Sequence, residues 1–407
     1  MPRKRSTPRR SILVLALVAS ITLVGGPANV TAGAAVRPAE VGTSDGRAQV
    51  SYHRFVEPDG PITIGSGTVA TWTSSDFAPG FAFTELVASW NADTPEGSLV
   101  DVELQATPDF LRWTKWYALG RWAYGDATYL RTSVGGQGDA DGTVVIDTFV
   151  AGEVPMVAYR LSLTLLRRSE ADPAPVVRAL GAMSSAVPTT FAIPSIRARS
   201  GTAALPSVVP AFSQEIHAGH YPEFDGGGEA WCSPASTAMV LAYWGASPNA
   251  ADLAYIPAGH GDPQVDHAAR YTYDSHYRGT GNWPFNTAYA GRFGLDGFVT
   301  QLRSLTELER FIRAGIPVVT SQSFQAEELP GAGYSTNGHL MVIIGFTKTG
   351  DVIANDPASA SNEAVRRVYP RAAFEKVWQR STGGVVYIIH PKTRPLPRHV
   401  PGLTPNW

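Results

Sequence analysis

The 407-residue chain contains a single cysteine, Cys232, and nine histidines, so any thiol chemistry rests on one side chain. Cys232 opens the run Cys232-Ser233-Pro234-Ala235-Ser236-Thr237-Ala238-Met239-Val240-Leu241-Ala242-Tyr243-Trp244-Gly245. Pro234 is tolerated in a first helical turn, Ala235, Met239, Val240 and Tyr243 recur at helical spacing, and Gly245 suits a left-handed stop. The pattern predicts a helix over 232–244 with the thiol at its N-terminus. Unpaired N–H groups and the positive end of the helix dipole favour a thiolate there, and thiolate is the nucleophilic form. A small buried hydrophobe is the competing reading of the same residue.

A second run, Asn337-Gly338-His339-Leu340-Met341-Val342-Ile343-Ile344-Gly345-Phe346, is apolar on both faces and predicts a buried strand with a histidine at its mouth. Thr347-Lys348-Thr349-Gly350 supplies a turn and Asp351 to Pro357 returns, so the two segments read as a hairpin. Residues equally far from a hairpin turn lie side by side. The midpoint of 339 and 356 falls at the start of this turn, so His339 and Asp356 are expected to be neighbours. A carboxylate beside an imidazole fixes its tautomer and stabilises its cation, the third role in a Cys-His-Asp arrangement. Asn355 is an alternative orienter, since strand alternation lets only one of the two face the histidine. The plain structural reading is a capped strand end and an Asp-Pro turn.

Cys232-Ser233-Pro234-Ala235-Ser236, the strand opened by His339 and the Asp356-Pro357 pair resemble the bacteriocin-processing cysteine peptidases, family C-39, in the broad version found as secreted proteins of actinobacteria. The resemblance spans Val209 to His390. It implies a papain-like fold with Cys232 as nucleophile, His339 as general base and Asp356 as orienting residue. It also implies a Gln ahead of the Cys that helps bind the oxyanion. Gln214 matches that lead-in, although residues 215–231 make the gap longer than in compact members. The Cys232 backbone N–H is the natural second donor. Bacteriocin-processing members cut after paired glycines in leader peptides and belong to ABC transporters. No transporter domain is read in this sequence, so envelope peptides, peptidoglycan cross-bridges and secreted peptides are the expected substrates.

Two domains must position these residues, because the length exceeds what one compact core usually supports. From Ile62 to Ala186, short apolar or alternating runs are separated by turn signals, as in 69–72, 85–90, 99–104, 143–147 and 159–163. This predicts an antiparallel β-sandwich, jelly-roll-like, over 35–187, followed by a Pro/Ser/Ala/Thr-rich linker over 188–209. Residues 210–392 predict an α+β papain-like unit with helices first and a sheet after, and 393–407 form a tail. Its further elements are an amphipathic helix from Leu305 to Ala314 and strands over 316–320, 352–354 and 385–389.

The first 34 residues read as a signal peptide: Arg3, Lys4, Arg5, Arg9 and Arg10, an apolar run from Ile12 to Val24, and Ala32-Gly33-Ala34 before a cleavage point. Arg9-Arg10 leaves both general and twin-arginine export open. Loss of this leader moves the formal charge from -2 to 28 - 35 = -7, which argues against nucleic acid as a partner. No transmembrane segment is expected after cleavage, and the location is extracytoplasmic, secreted or on the cell envelope.

No cofactor and no metal are expected. His217-Ala218-Gly219-His220 reads as a surface loop rather than a metal pair, since no helical His-Glu signature or cysteine pair accompanies it. Gly135 to Gly142 reads as a hairpin loop rather than a calcium loop. No nucleophile-elbow serine, P-loop or dinucleotide fingerprint competes with the thiol. Trp90, Trp113, Trp116 and Trp122 are expected in the core, with a sugar-stacking surface as the alternative. The rival to an exported cysteine peptidase is therefore a non-catalytic envelope- or glycan-binding protein on a papain-like scaffold. Convergence of Cys232, His339 and Asp356 in an open cleft separates the two.

Overall fold

A computed structural model describes residues 48–55, 60–188, 203–205 and 207–407. The expected leader, 1–34, and most of the expected linker lie outside the described residues.

The N-terminal half contains strands β1 (Gln49–Arg54), β2 (Ile62–Thr63), β3 (Val69–Thr73), β4 (Glu85–Asp93), β5 (Ser98–Thr107), β6 (Tyr117–Trp122), β7 (Gly142–Val145), β8 (Thr148–Ala151), β9 (Ala158–Arg167) and β10 (Val176–Ala186). One sheet runs β1-β10-β4-β8-β7, with β2 also on β10, and the other runs β3-β9-β5-β6. Every pairing is antiparallel. Alternation explains the layering: Leu161, Leu163 and Leu165 of β9 point inward with Val100, Val102 and Leu104 of β5, and all are enclosed.

The C-terminal half adds β11 (Ala203–Ala204), α1 (Cys232–Tyr243), α2 (Pro263–Thr272), α3 (Trp283–Gly291), β12 (Leu295–Gln301) and α4 (Leu305–Arg313). It continues with β13 (Val318–Phe324), β14 (Thr336–Phe346), β15 (Val352–Asn355), β16 (Arg366–Tyr369), α5 (Arg371–Thr382) and β17 (Val385–Pro391). The sheet order is β12-β17-β13-β14-β15-β16, with β11 on β14. Its apolar strands are buried on both faces, and alternation divides them between two cores. Leu340, Val342 and Ile344 pack with α1 and α3, while Met341 and Ile343 pack with α4 and α5. In β17, Val385, Tyr387 and Ile389 join the first core, and Val386 and Ile388 join the second.

The first of these cores is shared with the sandwich. Phe285 of α3 lies against Trp90 and Trp122, with ring centroids 6.2 and 5.5 Å apart. Both tryptophans are fully enclosed and therefore take no part in a surface, while Arg160 lies over Trp113 and Trp116. Polar groups also cross the junction. Asn91 Nδ2 donates to Gly297 O (2.9 Å), Gly297 N donates to Asn91 Oδ1 (3.0 Å), and Val299 N donates to Ser89 Oγ (2.8 Å). These side chains of β4 satisfy backbone groups on the free side of β12, which would otherwise be an open sheet edge.

The segment expected as a tail is docked. Asn406 Nδ2 donates to Gln301 O and Glu307, Trp407 is buried, and Pro405 O accepts from Tyr52 N of the sandwich. The Gly135–Gly142 segment is a hairpin approach in which Asp139 accepts from Tyr117 and from the backbone of Asp141 and Gly142.

A shared core and buried cross-junction hydrogen bonds predict that the two halves unfold together. Asn91→Ala strips partners from two buried backbone groups and should cost about 2–4 kcal/mol, read by urea denaturation. Fluorescence and circular dichroism should follow one transition. Two separate transitions, or an unchanged midpoint in the variant, would contradict a joint core.

Candidate active site

Helix α1 brings Cys232 to the cleft. A 3-10 turn, Gly228–Trp231, feeds directly into it, and no side chain caps its first turn. The helix is enclosed along most of its length, so its small polar residues are satisfied internally. Ser233 Oγ lies 3.0 Å from Tyr387 Oη, Ser236 Oγ donates to Leu340 O at 3.2 Å, and Thr237 Oγ1 donates to Asn286 Oδ1 at 3.1 Å. These bonds seat α1 on β14, β17 and α3. They leave Cys232 with 8% exposure at the wall of a cavity that His339 also lines.

Strand β14 delivers His339, and the structure corrects how it meets Asp356. The hairpin pairs Val342 with Asn355 and Ile343 with Ala354, but the register slips by one between Ile343 and Gly345. Extending the upper register puts Asp356 across from Met341, so His339 and Asp356 are diagonal rather than directly opposite. Their side chains nevertheless meet, with His339 Nε2 2.8 Å from Asp356 Oδ1. Nδ1 is left free of Asp356, and Cys232 is among the groups that raise the imidazole's pKa. Asn355 points the other way and donates to Pro210 O at 3.0 Å, so Asp356 is the residue facing the histidine.

Asp356 is fully buried, and four donors surround it. Besides His339, Oδ1 accepts from Ala358 N at 3.0 Å, and Oδ2 accepts from Tyr334 Oη at 2.8 Å and from Tyr369 Oη. Burial pushes this carboxyl up, but the His339 charge and bond and the two phenols outweigh it and pull the pKa down to about 2. Burial likewise pushes His339 down, yet Asp356 and then Cys232 reverse the sign and raise it to about 10. Burial, followed by the Asp356 charge, raises both tyrosines, so they remain donors.

Gln214 is not among the residues lining the cavity with Cys232. It is buried, its N–H donates to Pro357 O at 3.0 Å, and its Nε2 donates to Glu215 Oε1 at 3.0 Å. Several cleft residues had no sequence signal. The β7–β8 turn of the sandwich puts Ile146 and Asp147 into the wall. Ile146 holds φ 59°, a conformation that strains a β-branched residue. Asp147 accepts from Trp283 N at the start of α3 (2.7 Å) and from Thr148 Oγ1 (2.9 Å). Burial dominates there and lifts its pKa to about 7. Gln322, paired with His339 across β13 and β14, also lines the cavity, and its amide has no partner among the described residues. Asp225 and Glu229 complete an acidic wall.

The His339–Asp356 pair ties stability to pH at both ends. The His339 pKa rises from 6.5 to about 10, so its contribution is complete below 6.5 and is lost as pH climbs through 10. The Asp356 pKa falls from 3.8 to about 2, so its contribution is complete above 3.8 and is lost as pH drops through 2. Asp356→Asn should move the His339 titration midpoint to about 7 or below, read by NMR of the imidazole. Its stability deficit should shrink as pH rises through 10. A midpoint that stays near 10 would mean that Asp356 does not hold the proton on the ring.

Comparison with known proteins follows the same division. Residues 35–185 match the family model described as the peptidase C39 N-terminal domain, and residues 207–386 match the peptidase C39 like family. No curated protein matches the chain. Among solved structures, a C39-like peptidase from Bacillus anthracis is 21% identical, covering 46% of this chain and 96% of its own, with a TM-score of 0.28. A double glycine motif protease from an AMS/PCAT transporter, solved in complex with the leader peptide, is 17% identical, covering 49% and 97%, with a TM-score of 0.25. The VP2 subviral particle of infectious bursal disease virus is 13% identical, covering 38% and 37%, with a TM-score of 0.22. No helix among the described residues is long and apolar enough to cross a membrane. The chain thus carries a segment similar to the peptidase C39 N-terminal domain and, behind it, a segment similar to the peptidase C39 like family.

Proposed function

We propose that this protein is an exported cysteine peptidase or amide hydrolase, with a papain-like arrangement of α1 against the β14–β15 pair. The observation that carries the reading is that Cys232 and His339 share one cleft while the buried Asp356 anchors the imidazole from behind. A scaffold that only binds needs no such alignment, so the geometry favours hydrolysis over the envelope-binding alternative.

The reaction follows from the groups. The Cys232 sulfur, with its proton on His339 Nδ1, attacks the carbonyl carbon, and the C–S bond forms as the oxygen takes up negative charge. The Cys232 N–H at the uncapped start of α1 is the oxyanion donor of this reading. Gln214, bonded to Glu215 and outside the cavity lining, is given no part in this step. His339 returns the proton to the leaving nitrogen, the C–N bond breaks, and a thioester remains on Cys232. Water then gives a proton to His339 and attacks the thioester, releasing the acid and restoring the thiol–imidazole pair. Asp356 stays ionised throughout and holds the ring in place.

The cleft points to a class of substrate. Asp147, Asp225 and Glu229 line it, and no lysine or arginine does so among the described residues. Such a wall favours a peptide carrying a positive charge near the scissile bond. Basic envelope peptides and cross-bridges fit, and the signal-like sequence over 1–34 supports encounter outside the cytoplasm.

Cys232→Ala should reduce turnover of a fluorogenic peptide by about 10³-fold or more while thermal unfolding stays unchanged. Activity retained in this variant would end the thiol mechanism. For specificity, the double substitution Asp225→Asn, Glu229→Gln should lower kcat/KM for lysine- or arginine-containing peptides about tenfold and spare neutral ones. An equal effect on both classes would remove the acidic wall as a determinant.

A further inference from the structure

Away from the thiol, three imidazoles converge on one buried carboxylate. His217 Nδ1 lies 3.0 Å from Asp266 Oδ2, while His220 Nδ1 and His260 Nδ1 lie 2.8 and 3.1 Å from Asp266 Oδ1. The side chains of His217 and Asp266 have 0% exposure, and those of His220 and His260 have 18% and 21%. The cluster is thus closed on one side and reachable from the other. The sequence pattern predicts a surface loop at His217–His220; instead, the loop folds its rings inward.

Local backbone geometry builds this arrangement. The 3-10 turn Glu215–His217 presents the first ring, and Gly219 N bonds Gly226 O at 2.8 Å to fold the segment back. Gly227 crosses so close to His217 that a Cβ there would sit 1.8 Å from His217 O, and its φ is 69°. Only glycine permits that crossing. From the opposite side, α2 supplies Asp266 in its first turn, and the preceding loop supplies His260. The His220 and His260 rings stack with centroids 3.5 Å apart, which directs both Nδ1 atoms at the same oxygen.

We propose that His217, His220, His260 and Asp266 form a binding site for a first-row divalent metal ion of the zinc type. The donor set is three imidazole nitrogens and one carboxylate, the mixture that zinc takes and that calcium and magnesium do not. The ligand atoms of His217, His220 and Asp266 all lie within 4.8 Å of one another, and His260 joins through its contact with the same carboxylate. Zinc–donor bonds of about 2.0–2.1 Å place neighbouring tetrahedral donors about 3.3 Å apart. The observed contacts to the carboxylate, 2.8–3.1 Å, are a few tenths shorter than that edge. Charge supports it as well, since among the described residues the Asp266 carboxylate meets histidines rather than lysine or arginine. Among the described residues, His217 Nε2 is buried without a partner, so the cluster contact is the one polar bond seen for this ring.

The site ties the 217–231 segment to α2 and has a structural consequence for the cleft. Trp231, the residue before Cys232, packs on the His217 ring at 5.8 Å. A bound ion clamps the segment that leads into the nucleophile, while the Cys232 thiol is no part of the site.

The test is metal content and cobalt spectroscopy on the purified mature protein, independent of any peptidase assay. Protein stripped with a chelator and then given zinc should retain about one equivalent through dialysis, as expected for one four-donor site. Cobalt in its place should show the visible bands of a tetrahedral ion. His220→Ala should weaken retention at least about tenfold, and Cys232→Ala should not change it. Should His220→Ala fail to fold, His260→Ala, in a separate loop, reads the same loss. No stoichiometric uptake by the wild-type protein overturns the site. So does uptake that is lost in Cys232→Ala or kept in both histidine variants.

Discussion

The buried carboxylate of Asp356 is the constraint around which the C-terminal half is arranged. An ionised carboxyl with no solvent contact is costly unless every lone pair has a donor. Here His339, Ala358, Tyr334 and Tyr369 supply them from β14, the turn after β15, the loop before β14 and β16. Those donors meet only if β14, β15 and β16 hold one register, so the charge and the sheet specify each other. The one-residue slip near Gly345 belongs to this arrangement, because it shifts Asp356 along the hairpin to the diagonal position where it meets His339.

The sandwich is not a tethered appendage to this unit. Phe285 enters between Trp90 and Trp122, Asn91 completes the backbone bonding of Gly297, and Asp147 accepts from the first N–H of α3. The last contact has a functional side. A strained turn at Ile146 is held in the cleft wall by packing from the sandwich core, and strain of this sort persists where surrounding structure over-determines it. The N-terminal half therefore shapes the site it covers, which gives a physical reason for the two segments to occur together in one chain.

Much of this was legible in the sequence, for identifiable reasons. The helix starting at Cys232 was marked by Pro234 and Gly245, and the β14–β15 hairpin by an unbroken apolar run, a Gly-containing turn and a return. The bulge was not legible, because the extra residue lies within a stretch of similar apolar side chains. Helix α3 was missed since it is buried nearly all round and shows no amphipathic period. Tyr334, Tyr369 and Asp147 reach the site from distant segments, and a lone Tyr or Asp carries no spacing signal. At His217–His220 the sequence offers two ligands of a set whose others, His260 and Asp266, lie some forty residues on, so a pairwise motif search undervalues it.

Two buried carboxylates beside the same cleft are driven in opposite directions, and this separates their roles. Asp356, with four donors, one of them an imidazole, is drawn to about 2 and remains an anion across the neutral range. Asp147, with one backbone N–H and one hydroxyl, is governed by burial and sits at about 7. It can therefore shed its charge where Asp356 cannot. The His339 ring meets Asp356 through Nε2. Pairs of acids separated in this way are how a fold assigns one to fixed charge and leaves the other free to respond to what binds.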